Sequence, residues 1–351
     1  MTREDIESIA RRRAFPDRDG AAEIVETHAN WIILSEHFAF KIKKEVVFSF
    51  LDYSTLEKRK FYCQRELSLN QRLTRNIYLR VLPICQTPEG PLISSASEGP
   101  VVDYAVQMQR MDEEHHMPPM LEKGQVKAEH IRQIARLLAH FHKQAEKIHR
   151  PLSWKSIFED FSDILSTRSW VESQLGAREA ELLQSIVSGV GRFLERMEGH
   201  LQHRNDRGYT VDGHGDLHSR NIFLLDSPVL FDCIEFNDHF RQLDVLDEVA
   251  FLFMDFYYFK RPDLAEFLLS EYLEGNPAIE GPADMALFYY YLCYRANVRF
   301  KVNALQAGQT DNREGFREAK LYWALLKDYY ILFQKRGWFK RKAPAAGAWF
   351  F

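Results

Sequence analysis

Short runs of β-branched and aromatic residues, with partial alternation of polar positions, dominate the first third of the chain. Runs of this kind predict strands, which we place in one antiparallel sheet. The predicted strands cover residues 22–27, 31–43, 78–85 and 101–111. A short polar helix is predicted at residues 1–13 and an amphipathic helix at 54–72. Apolar or aromatic positions of the second helix are Leu56, Phe61, Leu67, Leu69 and Leu73.

The pattern changes near residue 112. The stretch 112–119 is polar and contains two prolines, which is typical of a hinge. Beyond it, apolar residues at helical spacing predict a helix at 128–148, and a strand–loop–strand is predicted at 211–236. Further helices are expected at residues 190–200, from 243 onward, at 284–301 and at 312–334. The chain is therefore predicted to be an α+β protein, with a small antiparallel β-rich lobe before a larger, mostly helical lobe.

This change in pattern sets the predicted domains. We expect an N-terminal lobe over residues 1–111 and a helical C-terminal lobe over residues 112–340. Residues 341–351 include a Pro-Ala-Ala-Gly stretch, and we expect them to form a mobile tail.

The composition excludes several classes of protein. The 351 residues are 46% hydrophobic and 27% charged, an ordinary globular mixture. A formal net charge of −4 provides no global basic field for nucleic acid or an anionic membrane, so we expect neither partner. The longest apolar run, residues 249–259, is too short to span a bilayer. The four cysteines lack metal-binding or disulfide spacing, so we expect a reduced, cytoplasmic setting.

The densest set of candidate chemical groups lies at residues 214–221, which read His-Gly-Asp-Leu-His-Ser-Arg-Asn. Asp216 and Asn221 stand in a loop that leads into a strand, and Asp232 follows a second apolar segment. Phosphoryl transfer needs one carboxylate to meet the incoming hydroxyl, and an amide and a second carboxylate to hold magnesium on the nucleotide phosphates. A hairpin of two strands would bring Asn221 and Asp232 together.

Residues 214–221 resemble the catalytic loop of the aminoglycoside-phosphotransferase and choline-kinase group, whose fold is similar to that of protein kinases. That loop reads His-Gly-Asp-x-x-x-x-Asn, and this chain has it intact. The resemblance implies a bilobal, protein-kinase-like fold that binds ATP or GTP with Mg²⁺ and phosphorylates a hydroxyl of a small molecule. It implies that Asp216 is the catalytic base and that His214 braces the loop. It also implies that Asn221 and Asp232 bind the magnesium.

The kinase-like pattern also requires a lysine on a strand and a glutamate on the following helix. Lys41 lies late in the second predicted strand, and the resemblance implies that it contacts the nucleotide phosphates. Lys43 shares its strand face, because strand side chains alternate, and it remains the alternative to Lys41, which we favour. A solvated charge is the other interpretation of either lysine. Glu66 is the best candidate for the partner glutamate, and Glu57 lies nearer the start of the helix.

Five further residues are candidates for nucleotide binding by the same resemblance. No glycine-rich loop precedes the lysine, so two polar residues of the first turn could contact phosphates, with a simple turn as the alternative. Three residues at the end of the last predicted strand would lie near the adenine, although the methionines among them also suit an ordinary core. The five are Thr27, His28, Met108, Gln109 and Met111.

Several alternatives stay open at this point. The chain could be a nucleotide-binding regulatory protein without turnover, or an enzyme that transfers a nucleotidyl group or a phosphate to a protein. The acceptor is not identified, because a fold does not determine a function. Arg295 and Arg299 lie one helical turn apart and would bind an anionic substrate group or form a buried ion pair with residues 244–248. We favour the ion pair.

Overall fold

A computed structural model describes residues 1–17, 21–74, 76–96, 99–309 and 313–336. The chain divides into two compact units. The first comprises Met1–Val126 and His214–Arg241, and the second comprises Lys127–Gly213 and the residues from Gln242 onward. The predicted tail at 341–351 lies outside the described residues, and the predicted boundary near residue 112 stays a prediction.

The order of elements confirms the α+β class, with the antiparallel sheet toward the N-terminus and mostly helices toward the C-terminus. The strands are β1 (Glu23–Glu26), β2 (Asn30–Leu34), β3 (Phe38–Lys43), β4 (Val47–Phe48), β5 (Leu51–Asp52), β6 (Tyr78–Thr87), β7 (Gly90–Ile93), β8 (Val101–Gln109), β9 (Thr210–Asp212), β10 (Ile222–Leu224), β11 (Pro228–Leu230) and β12 (Gln242–Asp244). The helices are α1 (Arg3–Arg12), α2 (Leu56–Asn70), α3 (Met117–Glu122), α4 (Ala128–Gln144), α5 (Trp154–Ser162), α6 (Arg168–Leu175), α7 (Ala177–Asp206), α8 (Asp238–Arg241), α9 (Val245–Tyr258), α10 (Pro262–Gly275), α11 (Pro282–Gln309) and α12 (Arg313–Arg336).

The main sheet has the strand order β1-β2-β3-β8-β6-β7, and every neighbouring pair is antiparallel. The stretch predicted as one strand at 31–43 forms β2 and β3. Asp17 accepts hydrogen bonds from the Ser35 hydroxyl (2.7 Å) and the His37 backbone N–H (2.9 Å). These two bonds hold the turn between β2 and β3. Strand β7 was not predicted. Helix α1 packs on this sheet through an apolar cluster that includes Ile6, Ile9, Ile33, Phe40 and Ile84.

Helix α2 confirms the helix predicted at 54–72, but its buried face is polar. The helix begins after Thr55, whose hydroxyl accepts a hydrogen bond from the Lys58 backbone. Phe61, one of the apolar positions, is 53% exposed. The buried residues recur every three or four positions and therefore share one face: Arg59, Cys63, Glu66 and Asn70. This helix thus presents charged and polar groups to the interior of the first unit.

A second apolar cluster joins α2 and the sheet to the β10–β11 hairpin. Its buried members are Cys63, Ile77, Tyr78, Val106, Phe223 and Val229. Residue 221 precedes this hairpin and residue 232 follows it closely. The cluster therefore holds the segment with the candidate catalytic residues against β6, β8 and α2, all within the first unit.

The second unit is built mainly from helices. In it α11 packs along α12 and α9, and α10 packs on α4. Arg204 of α7 is buried and bonds to both oxygens of Asp244 (2.7 and 2.9 Å) and to Asp284 (2.6 Å). Arg204 therefore neutralises two carboxylates in the interior of this unit.

Arg295 confirms the buried ion pair that we favoured from the sequence. Its guanidinium donates to both oxygens of Asp247, at 2.7 and 3.0 Å. Arg299 differs, because its ion-pair partner is Glu318, at 3.9 Å. All four cysteines are buried and none forms a disulfide. In the ranges that the structure describes, no helix is both long and apolar enough to cross a membrane.

We predict that Arg204→Met destabilises the protein far more than Arg207→Met, a change one helical turn away. Loss of Arg204 leaves two buried carboxylates without their main cation, so the free energy of unfolding should fall by about 3–5 kcal/mol. Arg207 pairs with Glu280 at the surface and should matter little. Urea unfolding measures both variants. Similar losses from the two variants would contradict this prediction.

Candidate active site

Lys41 lies at the centre of the ionic contacts in the first unit. Lys41 and Lys43 are two residues apart on β3 and therefore point to the same side of the strand. The Nζ atom of Lys41 lies 2.8 Å from Oε1 of Glu66 and 2.6 Å from Oδ1 of Asp232. The structure thus brings together three residues that the sequence singled out far apart along the chain.

The buried charges of this group stabilise one another. Burial alone would lower the pKa of Lys41, but Asp232 and Glu66 outweigh it and raise that pKa well above its ordinary value. Burial would likewise raise the pKa of Glu66, but Lys41 and Lys43 outweigh it and lower that pKa. Both lysines and Glu66 are therefore charged near neutral pH.

Lys43 is more deeply buried than Lys41 and shares only Glu66 with it. Its Nζ lies 2.8 Å from Oε2 of Glu66, donates to Oε1 of Glu235 and lies 3.3 Å from the Tyr53 hydroxyl oxygen. The Tyr53 hydroxyl donates to the same oxygen of Glu235, at 2.6 Å. Lys41 is therefore the lysine that contacts Asp232, while Lys43 is enclosed by Glu66, Glu235 and Tyr53.

His214 is the first residue of the loop at 214–221 and connects this loop to the segment that carries Asp232. The ring is fully buried. Its Nδ1 accepts a hydrogen bond from the Asp216 backbone (3.3 Å), so Nε2 carries the proton and donates to the carbonyl oxygen of Phe231 (2.8 Å). The carbonyl oxygen of His214 accepts a hydrogen bond from the backbone of Ile234 (3.0 Å). These contacts join the loop to the backbone on either side of Asp232, and the bracing role of His214 stays a prediction.

Asn221 and His218 both contact Asp216. The side-chain amide of Asn221 donates to the carbonyl oxygen of Asp216 (2.9 Å) and to its Oδ2 (3.3 Å). The Nε2 atom of His218 lies 3.4 Å from the same Oδ2. The Asp216 side chain is 42% exposed, so its carboxylate is both held and accessible. The sequence interpretation missed His218, although its place within the motif, two residues after Asp216, was a usable signal.

Asp232 sits in an unusual backbone conformation that its neighbours maintain. Its φ angle is +63°, in the left-handed region that non-glycine residues rarely adopt. The Asp232 backbone N–H donates to the buried Tyr78 hydroxyl (3.2 Å), and the next backbone N–H, of Cys233, donates to Oδ1 of Asn70 (2.9 Å). Neither Tyr78 nor Asn70 was predicted, because both act on backbone groups that the sequence does not reveal.

The oxygen atoms of Asn221 and Asp232 fit a magnesium ion, which prefers oxygen ligands. Asn221 contacts Asp216 through its amide nitrogen, so its amide oxygen is not the atom used there. Asp232 contacts Lys41 through one oxygen, and its side chain is 42% exposed. Within the described ranges, no three His, Cys, Asp or Glu side chains are grouped to hold an ion by themselves. Nucleotide phosphates would therefore have to complete the coordination.

The five other candidate nucleotide-binding residues fall in two places. Thr27 closes the β1–β2 turn, because its hydroxyl accepts from the Asn30 backbone N–H at 3.0 Å, and His28 is exposed beside it. Gln109 ends β8 and is exposed, while Met108 and Met111 are partly buried against the second apolar cluster. These positions suit the turn and core interpretations, and contact with a nucleotide stays a prediction.

Comparison with solved structures identifies the class of fold. The chain resembles a choline/ethanolamine kinase family protein from Mesorhizobium loti with a TM-score of 0.55, at 14% identity over 94% of this chain and 97% of that one. It also resembles the GDP complex of aminoglycoside 2'-phosphotransferase-IIIa with a TM-score of 0.52, at 11% identity over 94% and 99% of the two chains. The chain therefore has the α+β fold of these kinases.

The sequence matches identify the family. Residues 63–288 match the phosphotransferase enzyme family, and the chain belongs to that family. It is also 32% identical, over 298 residues, to the uncharacterized protein Rv2004c of Mycobacterium tuberculosis, which covers 82% of this chain. The match covers 55% of that relative, so the chain spans about half the length of the curated relatives it matches.

We predict that Gly215→Ala destabilises the loop at 214–221. Gly215 has φ +90°, and an added Cβ would lie 3.0 Å from the Phe240 carbonyl oxygen, so about 1–3 kcal/mol of unfolding free energy should be lost. Gly199→Ala is the matched control, because Gly199 lies inside α7 with nothing within 4 Å of an added Cβ. Denaturant unfolding should show that the control is neutral or stabilising. A stable Gly215→Ala variant would contradict the described backbone.

Proposed function

We propose that the chain is a kinase that transfers the γ-phosphate of a magnesium-bound nucleotide to a hydroxyl group of a small molecule. The observation that carries this proposal is the convergence of Lys41, Glu66 and Asp232 on one ionic contact, next to a loop in which Asn221 and His218 hold Asp216. This set contains the groups that phosphoryl transfer requires.

Lys41 is the proposed phosphate ligand. It contacts Asp232, whereas Lys43 is enclosed by other partners, and this geometry favours Lys41 over the alternative. A magnesium ion on Asn221 and Asp232, when bound, would neutralise negative charge on the nucleotide phosphates. Lys41 adds positive charge beside it, and Glu66 orients the ammonium group. A preorganised positive site of this kind stabilises charge that develops in the transition state.

Asp216 is the proposed catalytic base, or the group that orients the acceptor hydroxyl. Asn221 donates to Oδ2 of Asp216 and so restricts rotation of the carboxylate. The exposed fraction of the side chain allows a hydroxyl to approach. The Nε2–H group of His214 donates to the Phe231 carbonyl oxygen. His214 would therefore hold the loop in place against the segment that carries Asp232.

The nucleotide and the acceptor are proposed from the structural neighbours and from residue positions in the first unit. One structural neighbour is a GDP complex, so both ATP and GTP are candidates here. We propose Thr27 and His28 for the phosphate side, and the backbone of Gln109 with Met108 and Met111 for the base. The neighbours are a choline/ethanolamine kinase family protein and an aminoglycoside phosphotransferase, which supports a small-molecule acceptor. We propose a cytoplasmic setting for the reaction.

We predict that Asp216→Ala lowers phosphate transfer by roughly 10²- to 10⁴-fold, because the acceptor loses its base, while nucleotide binding is kept. A screen of hydroxyl-bearing metabolites for magnesium-dependent ATP and GTP consumption provides the assay, and mass spectrometry identifies the product. Thermal stabilisation by Mg-nucleotide measures binding separately.

Asp226→Ala is the control for that experiment, since Asp226 is exposed in the β10–β11 hairpin. It should transfer phosphate like the wild type. Undiminished turnover in Asp216→Ala would refute the proposed mechanism. Binding without any transfer by the wild type would support the regulatory alternative, and a product that gains a nucleotidyl group would support the third.

We predict that Asp232→Ala removes the magnesium-dependent part of nucleotide affinity. The variant loses a proposed metal ligand, so affinity for Mg-ATP should fall by at least about tenfold. Affinity for ATP measured in EDTA should not fall, because without magnesium the substitution removes only a carboxylate that competes with the phosphates for Lys41. Calorimetric titration with and without magnesium tests both statements. Equal losses in the two conditions would mean that Asp232 supports the fold rather than the metal.

A further inference from the structure

Lys43 and Glu235 are buried charges without a part in the transfer described above. Lys43 has no exposed surface, and Glu235 is 4% exposed. In the part of the chain that the structure describes, Lys43 is the sole cation within ion-pair distance of Glu235. Lys43 also holds Oε2 of Glu66, so it joins helix α2 to the segment that follows Asp232.

Stability alone is a weak explanation for this pair. Removing two charges from water is costly, and their attraction in the interior roughly offsets that cost, so an apolar pair of similar size would stabilise the fold about as well. Tyr53 donates to Glu235, and its ring lies 4.8 Å from Nζ of Lys43, so the pair is built into a specific geometry. Fixed geometry, rather than added stability, is what such an arrangement provides.

Lys41 and Lys43 share the Glu66 carboxylate, and this sharing shows where the fixed geometry of the Lys43–Glu235 pair matters. Lys41 holds Oε1 of Glu66 and Lys43 holds Oε2. When Lys41 turns toward a phosphate, its contacts with Glu66 and Asp232 weaken. Lys43 then still compensates the buried Glu66 carboxylate, which would otherwise be an unpaired charge in the interior.

Through Glu235, Lys43 also restrains the position of Asp232. Asp232 and Glu235 are three residues apart, and the backbone between them is held by Asn70 through Cys233. Lys43 anchors the far end of this segment through Glu235. The position of the Asp232 carboxylate, at a φ of +63°, therefore depends on contacts at both ends.

We propose that Lys43 and Glu235 are a positioning pair, which holds Glu66 and Asp232 in place while Lys41 exchanges a carboxylate for nucleotide phosphate. This inference rests on the proposed function. Both residues are buried away from the surface that a nucleotide could reach, so their effect must act through Lys41 and Asp232. It should therefore appear in the recognition of phosphates and not in the recognition of the nucleoside.

The test compares Lys41→Met, Lys43→Met, Glu235→Gln and the double variant of Lys43→Met and Glu235→Gln with the wild type in the full chain. The double variant removes one charge of each sign, so no unpaired carboxylate is left and folding should be preserved. Glu235→Gln keeps an amide that can still bond to Lys43 and Tyr53, and it provides a second folded variant. Lys58→Met is the control, because Lys58 forms an exposed ion pair with Asp52 near the start of α2.

Each variant is titrated calorimetrically with Mg-ATP and, separately, with adenosine. In the double variant we expect affinity for Mg-ATP to fall roughly 10- to 100-fold, the range typical when groups behind metal ligands are removed. Glu235→Gln should show a smaller loss in the same direction. Affinity for adenosine and the unfolding midpoint should stay near those of the wild type, and Lys58→Met should match the wild type throughout.

Three outcomes would overturn the inference. Wild-type Mg-ATP affinity in the double variant would remove the positioning role and leave the proposed function intact. Equal losses for adenosine and Mg-ATP would show a structural role alone. Retained affinity in Lys41→Met with loss in Lys43→Met would make Lys43 the phosphate ligand. A wild-type protein that binds no Mg-nucleotide would instead refute the proposed function, and this inference with it.

Discussion

The buried carboxylate of Glu66 can stay ionised only because two lysines reach it, one on each oxygen. A lone carboxylate in that position would be strongly destabilising. Through Lys41 this carboxylate is linked to Asp232, and through Lys43 to Glu235. Helix α2, strand β3 and the segment after the β10–β11 hairpin are therefore held by one ionic network.

This ionic network also explains why the buried face of α2 is polar. An ordinary amphipathic helix buries its apolar stripe, but α2 buries polar and charged side chains and leaves Phe61 mostly exposed. Asn70 contributes twice, because its side chain donates to the Glu66 carbonyl and accepts from the Cys233 backbone. Glu66 thus belongs to the network and Asn70 orients the backbone beside Asp232, whereas Arg59 pairs with the buried Asp103 (2.9 Å).

Local patterns predicted much of the fold, because alternation and helical spacing are read directly from neighbouring residues. The antiparallel sheet and helix α2 were predicted in this way. The ion pair of Arg295 was predicted only as one with residues 244–248, and the structure identifies Asp247 as the partner. The turn between β2 and β3 was missed, since its anchor, Asp17, lies outside the strand pattern. Strand β7 was missed as well, because it is short and is recognised mainly by its pairing with β6.

The residues of the candidate site also divide into those that have a local signal in the sequence and those that do not. Residues that act with their own charged or amide groups, such as Lys41 and Asp232, were singled out from residue type, spacing and the family resemblance, and the structure places these two in contact. Residues that act on distant backbone or on a shared carboxylate left no local signal. Tyr78 and Asn70 belong to this second group. Their roles depend on tertiary contacts, which one sequence does not display.

The most direct test of the account follows the label from a nucleotide into the product. The full chain is incubated with magnesium, acceptor candidates and ATP labelled either at the γ-phosphate or at the α-phosphate. The account predicts that γ-label appears in a small hydroxyl-bearing product, that α-label does not, and that Asp216→Ala lowers the γ-label signal by roughly 10²- to 10⁴-fold. Appearance of α-label in the product, or undiminished γ-label transfer in Asp216→Ala, would contradict it.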